Sequence, residues 1–210
     1  MCGIIGSFNI HKFNELIKLN EYRGSFAYSF CSIDPDLHTF NIIKDFGKFN
    51  NDLLKNTSNL YHVGHIQAPT GGLIKDVKRI HPSNIHNTYL FHNGILKKST
   101  IDKLQKEFNT DNNWDTHLLH MALNKYKFNI LNHIDGSFGC LYINNFNIYL
   151  FSNDLINIFM DDSLSISSVK FKNSFKIKNN SVYKIDLTTN TYEIIDTFNT
   201  INNPYYILEE

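Results

Sequence analysis

The second residue of the chain is a cysteine, set directly after the initiator methionine in the run Met-Cys-Gly-Ile-Ile-Gly. With Met1 removed, Cys2 carries a thiol and a free α-amino group on one residue. That pair is a nucleophile with its own base. A free thiol has a pKa near ~8.5 and an α-amino group near ~7.7–8.0, so the amine can take the thiol's proton at about neutral pH. The other two cysteines, Cys31 and Cys140, lie in strand-like runs and read as small core residues. Ten histidines are present, with His81, His86 and His92 close in sequence and His117 and His120 on one helical face. None of their spacings matches a zinc site and no cysteine pair accompanies them, so no metal and no other cofactor is expected.

Such chemistry needs a scaffold, and 210 residues are enough to bury a core without staples. A single domain over residues 1–200 with a C-terminal tail over 201–210 is expected. Twenty basic and twenty acidic residues give a formal net charge of zero, which excludes bulk electrostatic attraction to nucleic acid or an anionic membrane. Three cysteines do not make a disulfide framework, and a reducing compartment fits best. The N-terminus lacks a signal-peptide pattern and no apolar run approaches about 18 residues, so the expected location is cytoplasmic.

The dominant period along the chain is two. Short β-branched and aromatic runs at 3–10, 25–33, 39–46, 60–66 and 87–93 are bounded by Gly, Asn, Asp or Pro and read as strands. Residues 11–20 suit a helix after the first strand. A second helix is expected over 99–108, opened by a Ser/Thr cap. The clearest helix covers 115–128, where Leu118, Leu119, Ala122, Leu123 and Tyr126 share a face, with Asp115 as its N-cap. Strands return from 136, with a hairpin turn at Asn144 and Asn145 and further strand pattern over 163–171 and 180–195. Strands, then helices, then strands imply stacked β-sheets covered by helices.

Six stretches then fall in a telling order: Met-Cys-Gly-Ile-Ile-Gly at the start, Tyr-Arg-Gly at 22–24, Gly-His-Ile-Gln-Ala-Pro-Thr-Gly-Gly at 64–72, and Ile-His-Pro at 80–82 leading to His-Asn-Gly at 92–94. Trp-Asp-Thr-His at 114–117 and Asp-Gly-Ser-Phe-Gly-Cys at 135–140 complete the set. In that order and at those intervals they resemble the glutaminase domain of class II glutamine amidotransferases, a branch of the N-terminal-nucleophile hydrolases. The resemblance covers residues 1 to roughly 170 and implies an α+β fold, a four-layer α/β/β/α sandwich.

It also implies roles. Cys2 attacks the side-chain carboxamide of L-glutamine and releases ammonia and glutamate. The Asn93 amide and the Gly94 N–H form the oxyanion hole, and Arg23 helps to fix the nucleophile. Gln67, Ala68, Thr70 and Asp115 meet the substrate, Asp115 through its α-ammonium group, while His65 shapes the pocket. Bland alternatives stand beside these: Asn-Gly is an ordinary turn signal, and an N-cap aspartate is normal.

Two departures bear on function. The family stretch reads His-Thr-Arg, with an arginine that grips the substrate carboxylate in a bidentate pair, and Gln67 stands at that arginine's position. A neutral amide cannot reproduce a guanidinium fork, so Arg79 or Lys75 must reach in, or glutamine binds weakly, or the amide donor differs. His117 stands where the family has Glu. The chain also shows no Gly-rich phosphate loop, so the ammonia acceptor is expected to be a separate amidating or synthetase protein. The alternatives are another N-terminal-cysteine amide hydrolase and a catalytically weak regulatory or binding member of the family.

Overall fold

The computed structural model of the chain describes residues 2–37, 39–54, 60–68, 76–145 and 147–201. Its elements run β1 (Gly3–Ser7), α1 (Ile10–Asn20), β2 (Ala27–Asp34), β3 (Thr39–Phe46), β4 (Tyr61–Gln67), β5 (Ser83–Ile85), β6 (Thr88–Leu96), α2 (Lys98–Phe108) and α3 (Asp115–Tyr126). After the helices come β7 (Gly136–Asn144), β8 (Asn147–Ser152), β9 (Phe159–Met160), β10 (Ile166–Ser167), β11 (Phe175–Lys176), β12 (Ser181–Asp186) and β13 (Thr191–Thr197). Two antiparallel sheets result, one in the order β11-β9-β10-β1-β4-β2-β3 and the other β13-β12-β8-β7-β6-β5.

The alternation of side chains along each strand sorts the apolar residues into three cores. Ile4, Cys31 and Val63 of the first sheet meet Phe91, Leu141 and Leu150 of the second between the sheets. On the outer face of the first sheet, Ile5, Phe30 and Ile66 pack on Phe13, Leu16 and Ile17 of α1. On the outer face of the second, Leu90, Phe138 and Cys140 pack on Leu104 of α2 and on Leu118, Leu119, Ala122 and Leu123 of α3. Helix, sheet, sheet and helices therefore stack as the α/β/β/α sandwich expected of the sequence. No helix among the described residues is long and apolar enough to cross a membrane.

Several boundaries differ from expectation for local reasons. The first strand stops at Ser7 because Asn9 turns to cap α1, its Oδ1 accepting from the N–H groups of His11 and Lys12 at 2.9 and 3.0 Å. Helix α2 begins at Lys98 after an N-cap Lys97 that makes no side-chain capping bond, so the expected Ser/Thr cap falls inside the first turn, where Thr100 donates to the Asp135 carbonyl at 3.1 Å. Asp115 is the first residue of α3 and Trp114 is the N-cap. The strand expected over 163–171 shrinks to Ile166–Ser167, since its serines serve neighbouring elements: Ser168 Oγ accepts from Ile4 N–H and Ser167 Oγ from Asn20 Nδ2. Asn145 turns the β7–β8 hairpin with φ of 47°. The expected tail beyond 201 lies outside the described residues.

Candidate active site

Cys2 precedes β1, and because β1 and β4 run antiparallel with Gly3 opposite Ile66, the start of β1 lies beside the end of β4. Cys2 is 6% exposed. Three segments hold it. Its backbone nitrogen donates to Asn93 Oδ1 at 3.1 Å, the Arg23 Nε donates to its carbonyl at 2.7 Å, and the Ala68 N–H bonds to its thiol. Arg23 ends a 3₁₀ turn followed by Gly24, where a Cβ would stand 2.5 Å from the Ala68 nitrogen; only glycine lets that turn press against the end of β4.

Electrostatically the thiol is under opposed influences. Burial pushes its pKa up and the Asp115 carboxylate adds to the rise, while the Ala68 N–H and the Arg23 guanidinium favour the thiolate. Burial prevails. The thiol therefore needs a base to become a nucleophile.

Asn93 and Gly94 sit on β6, where the alternation that sends Leu90 outward and Phe91 inward also turns Asn93 toward Cys2. With Oδ1 bonded to Cys2, the Asn93 Nδ2 is buried and has no acceptor among the described residues. Gly94 adopts φ of 150°, and a Cβ there would lie 2.0 Å from the Ser137 carbonyl oxygen. From the start of α3 the Asp115 carboxylate accepts from Thr116 N–H at 2.6 Å and from Leu96 N–H at 3.2 Å, which pins it to the end of β6.

A buried cysteine leading into the first strand, two face-to-face antiparallel sheets and this flanking by helices can be compared with known proteins. No protein-family model and no curated protein matches the sequence. Solved structures do match in shape. One is a glutamine phosphoribosylpyrophosphate amidotransferase from B. subtilis complexed with ADP and GMP, 16% identical, TM-score 0.73, covering 96% of this chain and 50% of that one. Another is an allosteric regulatory enzyme of purine biosynthesis, 16% identical, TM-score 0.72, covering 96% and 50%. A third is a glutamine aminotransferase class-II domain protein from Silicibacter pomeroyi, 9% identical, TM-score 0.51, covering 93% and 98%. The chain has the class II glutamine amidotransferase fold. It spans about half the length of the first two relatives in shape.

Within this amidotransferase fold, Cys2, Arg23, Ala68, Asn93 and Asp115 converge, with Gly94 beside Asn93. His65 is buried behind them, its Nε2 donating to the His92 carbonyl at 3.2 Å and its ring stacked on His81 with centroids 4.0 Å apart. Burial lowers its pKa to about 3, so the ring is neutral. Gln67 differs from what its position in the sequence suggests. Its Nε2 donates to the Arg79 carbonyl at 3.1 Å, and its Oε1 accepts from His81 N–H at 3.3 Å and from His81 Nδ1 at 3.1 Å. Both ends of the amide are thus engaged in holding the segment 79–81 on β4.

Arg79 donates through Nη2 to Asn113 Oδ1 at 2.7 Å and lines a polar cavity of about 620 Å³ with Lys44, Trp114 and His117. Thr70 and Lys75 lie outside the described residues. Thr116 and Ser137 were not legible as site residues: Thr116 reads as an ordinary first-turn residue, and Ser137 takes part through its backbone carbonyl. Among the described residues no group of three or more His, Cys, Asp or Glu is arranged to hold a metal.

Proposed function

We propose that the chain hydrolyses the side-chain amide of glutamine and hands the ammonia to a separate amidating or synthetase enzyme. The Cys2 nitrogen becomes the α-amino group when Met1 is lost, and its bond to Asn93 Oδ1 is the observation that carries this reading. That bond holds the base beside the thiol and leaves Nδ2 of the same amide as an unengaged buried donor. The amine takes the thiol proton and the thiolate attacks the carboxamide carbon. Charge develops on the amide oxygen, where Asn93 Nδ2 and the Gly94 N–H donate. Collapse breaks the C–N bond, the protonated amine supplies the proton that lets ammonia leave, and a thioester remains on Cys2. Water cleaves it to glutamate and restores the thiol. Asp115, pinned at the end of β6, takes the substrate's α-ammonium group.

One observation favours a weaker member of the class. With Gln67 engaged by residues 79–81, the α-carboxylate has no cation at that position, and affinity for free glutamine falls by about one to two decades relative to a bidentate arginine.

The test is intact mass together with ammonia and glutamate release. The mature chain should begin at Cys2 and release the two products in equal amounts, and an electrophilic glutamine analogue should add one equivalent to Cys2. A Cys2→Ala variant and a chain with a permanent N-terminal extension should be folded and inactive. Normal turnover by the extended chain would refute the single-residue mechanism.

A further inference from the structure

Three cations, Lys44, Lys78 and Arg79, line the polar cavity of about 620 Å³ beside the start of α3. Lys44 reaches it from β3, where two of its three ammonium protons go to the Ile80 and Pro82 carbonyls at 2.7 and 2.6 Å. Burial lowers its pKa to about 8, as expected of an ammonium held by neutral groups. Arg79 gives one N–H to the neutral Asn113 Oδ1 at 2.7 Å, and the exposed Lys78 ammonium bonds nothing among the described residues. Two carboxylates, Asp76 and Asp111, share the lining, yet among the described residues no ion pair joins them to these cations. Three positive charges against two negative leave the cavity an excess of one.

The wall that carries Arg79 is fixed in advance. Gln67 holds the Arg79 carbonyl and the His81 ring, Lys44 holds the carbonyls of residues 80 and 82, and Asn113 holds the Arg79 guanidinium. Thr116 completes the set, with its Oγ1 3.0 Å from His81 Nε2 and 3.1 Å from His92 Nδ1 and donating to Asp115 Oδ1 at 3.3 Å. A further part of the lining is flat: the Trp114 and His117 rings lie within 9° of parallel with centroids 6.3 Å apart, and His117 Nδ1 sits 3.0 Å from Ser83 Oγ. A preformed cavity of this volume suits a ligand larger than a bare ion. It is also distinct from the nucleophile's surroundings. None of the residues bonded to Cys2 lines it, and Asp115, next to Trp114, turns to the Leu96 N–H instead.

We propose that this cavity is a ligand site apart from the glutamine site, and that it takes a small oxyanion carried on a planar ring. The oxyanion lies against Lys44, Lys78 and Arg79. The third Lys44 proton and the remaining Arg79 N–H groups donate charge-assisted bonds to it, and its charge cancels the excess. The ring lies against Trp114, whose face offers offset stacking. A carboxylate and a phosphate ester share this chemistry. The site is additional to the proposed reaction and needs none of its steps.

Trp114 is the one tryptophan of the chain, so its emission reports occupancy directly. Titration with benzoate and with phenyl phosphate should change that emission saturably for at least one of them, and the tighter of the two assigns the oxyanion. Phenol and inorganic phosphate, each carrying half of the recognised chemistry, should bind at least about tenfold more weakly. Lys78→Glu alters an exposed side chain and should keep the parent melting temperature while raising the Kd of the ring-bearing anion at least about tenfold. A Trp114 signal indifferent to both ring-bearing anions would overturn the proposal. So would a Kd unmoved in Lys78→Glu, which would place the anion beside Asp115 in the glutamine site. Neither measurement involves turnover, so the cavity stands or falls apart from glutamine hydrolysis.

Discussion

The Cys2 nitrogen and the Asn93 side chain are joined at 3.1 Å across 91 positions of sequence, while the other end of the same amide is buried without an acceptor among the described residues. A buried donor left unpaired costs about 1–3 kcal/mol, and a developing oxyanion is the group that would relieve it. Asn93→Ala should therefore lower kcat by about 10²–10³. Its melting temperature should change little, because the lost bond to Cys2 and the removed orphan donor offset one another. Asn93→Asp keeps an acceptor for the Cys2 nitrogen and replaces the donor with a second acceptor, so it should also lose turnover. Steady-state kinetics beside calorimetry check both, and an Asn93→Asp enzyme with normal kcat would refute the oxyanion role.

Gly94→Ala attacks the same strand through its backbone. The φ of 150° disfavours any L side chain, and the new Cβ would meet the Ser137 carbonyl oxygen at 2.0 Å and His92 Nε2 at 2.8 Å. Neither is the free end of a flexible chain. The expected loss is at least about 2 kcal/mol in urea unfolding, together with activity. A variant as stable as the parent would show that β6 can move away from β7 at this point.

Much of this arrangement is legible from the sequence. Ile4 and Ile5, or Leu90 and Phe91, alternate between two cores as period two requires, and Leu118 to Leu123 mark the buried face of α3. The Cys2, Arg23 and Asn93 convergence follows from motifs in the right order. What fails is whatever depends on backbone partners. Gln67 is visible as a substitution, yet its partners are the carbonyl of residue 79 and the N–H of residue 81, which every sequence supplies. Asp115 reads as a cap because a short acidic residue before a helix satisfies the first N–H groups. Its bond to Leu96 N–H across the layer has no local signature. Thr116 joins residues 81, 92 and 115 only after the sheets have closed.

Stability should fall in mild acid. Burial lowers the pKa of His65 and of His120 from 6.5 to about 3, with His92 and Lys44 adding to the effect at His65 and His117 at His120, against the bond from His65 to the His92 carbonyl. Both rings stay neutral in the folded chain, whereas the unfolded chain takes up protons below 6.5. The unfolded state then binds more protons, so stability is complete above 6.5 and is lost as pH falls from there toward 3. The loss should reach about 2 kcal/mol per histidine between pH 7.5 and 5. His120, bonded to Thr88 and Ser83 inside the layer, offers the cleaner test. Urea unfolding at the two pH values should show a dependence about 2 kcal/mol smaller in His120→Gln, and an unchanged dependence would mean that the ring protonates in the folded state.

The last prediction concerns Gln67→Arg. Judged by its position in the motif, an arginine there would restore a fork for the substrate carboxylate and lower KM. The bonding around it predicts the opposite. Gln67 is 7% exposed, and its Oε1 accepts from both the N–H and the ring of His81. A guanidinium has no acceptor, so the His81 N–H and ring lose their partner, and a cation is placed close to neutral, buried His65 and His81. Each unpaired buried group costs about 1–3 kcal/mol, so the variant should be destabilised by several times the effect of a surface substitution. Its KM for glutamine should stay the same or rise. Gln67→Glu buries a carboxylate and loses the donor to the Arg79 carbonyl, but it keeps the acceptor for the His81 N–H and ring, whose donation offsets part of that cost, so it should be the milder change in urea unfolding. Kinetics and unfolding of the two variants side by side decide the matter. A stable Gln67→Arg protein with improved glutamine affinity would mean that the segment 79–81 moves aside and that position 67 faces the substrate after all.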